Sequence, residues 1–284
     1  MILKAQKKVF FTFGTKQFSL QKKHLLNLAQ KIDAFDQCIG FDINDIDNEF
    51  KSKNMNLFNY KKGAGYWIWK LYFLKKILTE LNTNDILVYS DSGSSINILG
   101  RKRLLEYFEI MNDSESGNLR FQLSHCLEKY WTNKELFSYL NLKPESQYGN
   151  TGQLISGHMM FKKNDTTLKI INEFENLIKT DHLLITDEYT NKLQVEGFMA
   201  HRHDQSILSL LSKIYGSEIL RDETALNDPF SEEEIQIHPF RAVQVKKYTS
   251  YQKVKFYLNF NKNINRSLSF NRKEFWFQKD SILK

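Results

Sequence analysis

Residues 85–93 read DILVYSDSG, an apolar run from Ile86 to Tyr89 that closes on Asp91 and is followed by Ser92 and Gly93. Open α/β sheets bind ligands beyond the carboxyl ends of their strands. A carboxylate placed there can hold a divalent cation, Mn²⁺ or Mg²⁺, against a diphosphate. Such a cation needs only one or two protein carboxylates when phosphate oxygens and water complete its shell. Ser92 and Gly93 let the backbone come close to a ligand. The same residues also suit a turn capped by Asp91, and spacing alone weighs the two readings evenly.

Three further segments carry residues of the right kind. Residues 60–70, YKKGAGYWIWK, set two glycines before two tryptophans and a lysine. Aromatic rings beside pliant backbone suit stacking on a base or sugar, and Lys62 or Lys70 suits a phosphate. Trp67 and Trp69 are two apart and cannot share one helix face, so at least one is expected to face something other than the core; the plain alternative is helix packing. Residues 201–206, HRHDQS, open a helix. His201, His203 and Asp204 suit metal ligation; alternatively Asp204 and Gln205 meet sugar hydroxyls with His203 near a phosphate, since helix N-termini favour anions. A capping Asp204 with solvated histidines fits equally well. In residues 152–161, GQLISGHMMF, Gly157 marks a bulge or a close backbone approach. His158 is then either at a pocket or a core histidine bonded to a backbone carbonyl.

The elements that must position these residues follow a β-α-β-α rhythm. Residues 9–13 and 38–43 read as strands, and 21–32 carries leucines at helical spacing between them. Asn44 or Asp45 suits the cap of a short helix. Residues 66–81 read as a long helix and 85–90 as a strand. Helices are expected over 101–111, over 132–140 with Thr132 as cap, from Asp165 or Thr166 to 179, and over 203–214. Strands are expected over 119–123 and 153–161. This rhythm predicts an α/β fold with a mostly parallel central sheet flanked by helices. The 284 residues, 41% hydrophobic and 26% charged, have an ordinary globular composition and suffice for one large domain.

Cys38 and Cys126 read as reduced thiols of a cytosolic protein. No signal peptide and no apolar run of membrane-spanning length is visible. The net charge of +7 is uneven: residues 246–284 hold ten Lys/Arg against Glu274 and Asp280, which leaves residues 1–245 close to neutral. A basic body is what a nucleic-acid binder needs, so no nucleic-acid partner is expected. The basic segment interleaves its charges with nine aromatic residues, among them Tyr248, Phe260 and Trp276. That mixture suits an anionic membrane surface, and also a single-stranded nucleic acid. Its alternating residues 254–260 also suit a strand packed back on the domain, which is the favoured expectation.

In order, these segments resemble the glycosyltransferases of bacterial capsule and lipopolysaccharide clusters, also found in giant viruses. The resemblance rests on FTFG, KKGAGYWIWK, DILVYSDSG, the WTxxxLF segment at 131–137, GQLISGHMMFKKN and HRHDQSILSLL, and covers roughly residues 9–216. It implies a GT-A, Rossmann-like single domain over residues 1–245, with 246–284 as a basic aromatic segment. It implies transfer of a sugar from a nucleoside diphosphate sugar, a UDP-sugar first, to a hydroxyl of a glycan or lipid-linked acceptor in surface polysaccharide synthesis. The setting implied is cytoplasmic, at or near the inner membrane surface. Donor binding is implied at Thr12, Phe13 and Gly14, with Gly65, Tyr66, Trp67, Trp69 and Lys70 lining the site. Lys62, Ser92, Gly93, Gly157, His158, Arg202 and Gln205 are further donor-site candidates. Asp91 corresponds to the first acid of the Asp-x-Asp metal motif, and Gly93 stands at the second. A cation at Asp91 then needs a distant partner, His201 or His203, or gives way to cationic side chains. A looser similarity to glycogenin-like transferases places Asp204 near the donor sugar or the acceptor nucleophile, as base or as positioning group. The rival readings are a degenerate protein that only binds glycans or nucleotides, and a metal-dependent hydrolase using His201, His203 and Asp204. The second lacks any partner motif such as HExxH.

Overall fold

The apolar run of the first strand, KVFFTF, is buried along nearly its whole length, as a strand covered on both faces must be. A computed structural model describes residues 5–225 and 231–242 of the protein. The expectations for residues 246–284 lie outside the described residues. In chain order the elements are β1 (Lys8–Phe13), α1 (Ser19–Lys31), β2 (Gln37–Phe41), α2 (Asn48–Lys53), α3 (Met55–Phe58), a helical turn α4 (Gly63–Tyr66) and α5 (Trp69–Glu80). Then come β3 (Ile86–Ser90), β4 (Ser95–Ile96), α6 (Arg101–Asp113), β5 (Asn118–Leu127), α7 (Glu128–Trp131), α8 (Lys134–Tyr139), β6 (Gly152–Leu154) and β7 (His158–Lys162). The remaining elements are α9 (Asp165–Thr180), α10 (Asp204–Tyr215), β8 (Glu218–Arg221), α11 (Glu232–Ile237) and β9 (Phe240–Arg241).

Among the described residues seven strands form one sheet in the order β2-β1-β3-β7-β5-β6, with β8 also paired to β5. The β1–β2, β1–β3 and β5–β8 pairs are parallel, and β6 and β7 run against the rest. The fold is therefore α/β with a mostly parallel central sheet, as expected. Alternation along the strands divides the core. Val9, Phe11, Leu87, Tyr89, Met159 and Phe161 pack with α5, α9 and α10 on one face. Phe10, Ile86, Val88, Met160 and Phe121 pack with α1 and α6 on the other. No helix among the described residues is long and apolar enough to cross a membrane.

Three local departures from the sequence expectations matter for the site. The helix expected over 66–81 begins only at Trp69, because Ala64, Gly65, Tyr66 and Trp67 all take positive φ and bend the chain into a tight turn. The strand expected over 153–161 is two strands: β6 and β7 lie along β5 and are separated at residues 155–157. Asn133, not Thr132, caps the helix that follows, its side chain accepting from the Leu136 N–H. The hydroxyl of Thr132 is instead taken up by buried Glu128 at 2.7 Å.

Candidate active site

The chain enters the sheet at β1, moves to one side for β2, and crosses to the other side for β3. The carboxyl ends of β1 and β3 therefore flank a switch in strand order, where open α/β sheets form their binding crevice. Thr12, Phe13 and Gly14 end β1 there, and Asp91 and Ser92 follow β3. A Cβ on Gly14 would lie 3.1 Å from Ser92 Oγ, so the two strand ends touch and only a glycine fits without displacing the serine. Thr12 is fully buried, with no partner for its hydroxyl among the described residues. Phe13 stacks on Trp69 at 3.9 Å and 18°, which fixes the first turn of α5 over the end of β1 and brings Lys70 inward.

Lys70 is the hub. Its ammonium lies 2.7 Å from Asp204 Oδ2, 3.1 Å from the Ser156 carbonyl oxygen and 3.6 Å from Asp91 Oδ1, with 2% of the side chain exposed. Burial works against the charge, but the carboxylates of Asp204 and Asp91 outweigh it and hold the lysine above its ordinary pKa. The Ser156 hydroxyl donates to Asp204 Oδ2 at 2.8 Å. The Tyr89 hydroxyl donates to Asp91 Oδ1. Burial and then Asp91 push the phenol well above its usual range, which keeps it a donor. Asp204 is the first residue of α10, where the helix dipole favours a carboxylate. Asp91 is more open, 37% exposed against 5% for Asp204.

The break between β6 and β7 makes this geometry possible. Freed from the ladder, Ser156 turns its carbonyl to Lys70 and takes the Gln205 side-chain oxygen on its N–H at 3.2 Å. The Gly157 carbonyl accepts from Asp91 N–H at 2.8 Å, and a Cβ on Gly157 would stand 3.0 Å from Asp91 Oδ2. Gly157 is thus the close backbone approach expected from the sequence.

A second cluster adjoins the first. Asp187 Oδ2 accepts from Lys62 Nζ at 2.6 Å and from the Tyr66 hydroxyl at 3.0 Å. His203 Nε2 lies 3.6 Å from Asp187 Oδ1, and the Trp67 ring stacks on His203 at 5.3 Å and 16°. The two tryptophans do divide, but because Trp67 lies in the turn before α5 and not on its helix: Trp69 enters the core and Trp67 stacks on His203.

The remaining candidates are engaged elsewhere. His158 is fully buried, its Nδ1 2.9 Å from Ser90 Oγ, and burial holds its pKa at about 4. Gln205 spends both ends of its amide on Gln153 and Ser156. Arg202 stacks on Trp131 at 3.9 Å and reaches Cys126. His201 Nδ1 accepts from the Asn133 N–H at 3.3 Å, which leaves its proton on Nε2. Asp204 faces Lys70 while His203 faces Asp187, and among the described residues no three His, Cys, Asp or Glu side chains group as a metal-ligand set. Sequence reasoning missed Ser156, Tyr89 and Asp187. Asp187 lies in TDEYT, a stretch with no period or motif to mark it.

No family model matches the sequence, and no curated protein matches it. Among solved structures the fold is similar to a glycosyltransferase involved in glycosylation of the major capsid of PBCV-1, at 9% identity and a TM-score of 0.44, covering 89% of this chain and 99% of that one. It is also similar to the bifunctional glycosyltransferase WbbM (12%, TM-score 0.46, 86% of this chain and 47% of that one). A third is mouse xyloside xylosyltransferase 1 (13%, TM-score 0.41, 76% and 85%). At these identities and TM-scores no activity follows from the likeness.

Proposed function

We propose that the protein transfers a sugar from a nucleoside diphosphate sugar to a hydroxyl of a saccharide or lipid-linked acceptor. The observation that carries this reading is the Asp91–Lys70–Asp204 group at the β1/β3 switch point, walled by the touching strand ends at Gly14 and Ser92. Transfer from a diphosphate needs stabilisation of the departing negative charge and little covalent chemistry from the protein. The resemblance carried by the ordered motifs points the same way.

A divalent cation fits this donor set in one manner. Asp91 is open and meets Lys70 only at 3.6 Å, so its carboxylate can serve as the single protein ligand, with donor phosphates and water filling the shell. Bound there, the cation would stabilise charge on the leaving diphosphate. His201 is bonded to the Asn133 N–H and His203 to the Ile185 carbonyl, and among the described residues neither groups with Asp91 as a ligand set. Lys70, in reach of both carboxylates, holds Asp204 in place beside Asp91. Asp204, whose Oδ2 already accepts two hydrogen bonds, fits a role in positioning the sugar better than one as a free base.

The decisive experiment is a thermal-shift screen of UDP-, GDP-, CDP- and dTDP-sugars with and without Mn²⁺. At least one donor should raise the melting temperature by several degrees. Asp91→Asn should keep the fold and lower transfer about 100-fold or more. Stabilisation of the wild type by no donor would sink the proposal.

A further inference from the structure

The cluster around Asp187 is not used by the charge stabilisation at Asp91. His203 Nδ1 lies 2.8 Å from the Ile185 carbonyl oxygen, which can only accept, so Nδ1 carries the proton. Burial, and then Lys62, holds the imidazole below its ordinary pKa against the opposing pull of Asp187, and with its proton on Nδ1 the neutral ring presents a lone pair at Nε2. That lone pair faces Asp187 Oδ1 across 3.6 Å. Two acceptors face one another with no hydrogen between them, an arrangement that a partner bringing two donor hydrogens would complete.

The chemistry of that partner follows from the surroundings. Lys62 already stands 2.6 Å from Asp187 Oδ2, so a cation would gain little there and a neutral donor is favoured. Asp187 and Lys62 are 39% and 48% exposed, so a ligand can reach them. The Trp67 and Tyr66 rings lie beside the imidazole, at 5.3 and 4.9 Å between ring centroids. Acceptors for two neighbouring hydroxyls beside aromatic rings match a saccharide diol. Ala64, Tyr66, Trp67 and His203 all hold positive φ. Such strain persists only where the surrounding structure enforces it. The cluster borders the Asp91 group through the consecutive residues His203 and Asp204, and its turn 63–67 ends three positions before Lys70.

We propose that Asp187 and His203 form the subsite for the acceptor saccharide, with Asp187 Oδ1 and His203 Nε2 each accepting from one of two neighbouring hydroxyls. The assignment to acceptor rather than donor rests on the transfer reading above. In Asp187→Asn the isosteric amide can donate to His203 Nε2 and still accept from Lys62, which closes the gap internally. Asp187→Ala removes both acceptor oxygens.

The test applies labelled full-length protein to a glycan array and, in parallel, melts it with the nucleotide-sugar panel. The wild type should bind a set of saccharides on the array, and both variants should lose that binding ten-fold or more while keeping the donor-induced thermal shift. Array binding that persists in both variants overturns the subsite, as does a wild type that binds no saccharide. Loss of the donor shift with array binding intact overturns it too, by placing Asp187 with the donor. Array binding that depends on Asp187, in a protein that no donor stabilises, supports a saccharide site and sinks the transfer reading alone.

Discussion

A lysine ammonium with 2% of its side chain exposed survives only in the company of opposite charge. Lys70 has two carboxylates for partners, and Asp204, 5% exposed, has Lys70 as its cation. Removing one member of such a pair leaves the other buried and uncompensated. Lys70→Met should therefore lower stability by about 3–5 kcal/mol in urea unfolding. The double variant Lys70→Met, Asp204→Leu should recover much of that loss, because no buried charge is then left alone. Equal losses in the single and double variants would show that packing of the lysine stem, not the ion pair, carries the stability. Asp91, Lys70 and Asp204 were each legible in the sequence as candidate chemistry. Their meeting was not, since Lys70 and Asp204 are 134 positions apart and no local period encodes such a contact.

Two elements gain their role from where regularity fails. The run GQLISGHMMF, with its Leu, Ile, Met and Phe, reads as one strand, and the expectation of a close approach at Gly157 was sound. Only the partners of residues 155–157 turn that run into two strands, since Arg120, fully buried, binds the Ile155 carbonyl at 3.0 Å and Lys70 binds that of Ser156. Gly157→Ala would press a Cβ to 3.0 Å from Asp91 Oδ2. That substitution should move the carboxylate more than it moves the fold. We expect donor affinity to fall at least ten-fold with a melting temperature within a few degrees of the wild type. Retained donor affinity would show that Asp91 does not need its present orientation. The start of α5 was misplaced by three residues for a comparable reason. Hydrophobic spacing reports a helical period but not positive φ, and left-handed residues at 64–67 break the helix without breaking the pattern.

At the scale of the molecule, two core layers on one sheet were expected from the β-α-β-α rhythm, and they are what the strands build. Antiparallel β7 between parallel β3 and β5 was not legible, because periodicity carries no direction. The buried histidines make this body acid-sensitive. Burial holds His158 at about 4 and His201 at about 3. An unfolded histidine takes its proton near 6.5. Below that pH the unfolded chain binds protons that the native state refuses, so stability falls as pH drops and levels off below the native values. The slope is about 1.4 kcal/mol per pH unit for each such histidine. The urea midpoint should fall steadily from pH 6.5 to pH 4.5, and His158→Gln should flatten that fall by roughly one histidine's share. An unchanged slope in the variant would mean that His158 is protonated in the folded protein. The hub at Lys70 also has a consequence for how the molecule comes into being. It joins residues from α5, the end of β3, the β6–β7 break and the first turn of α10. During synthesis the ammonium lacks its nearest carboxylate, Asp204, until the last of these segments leaves the ribosome, and contacts this distant form slowly. A chain stopped short of α10 would carry a buried lysine without its nearest carboxylate, so a nascent protein that lacks the site also lacks a settled core.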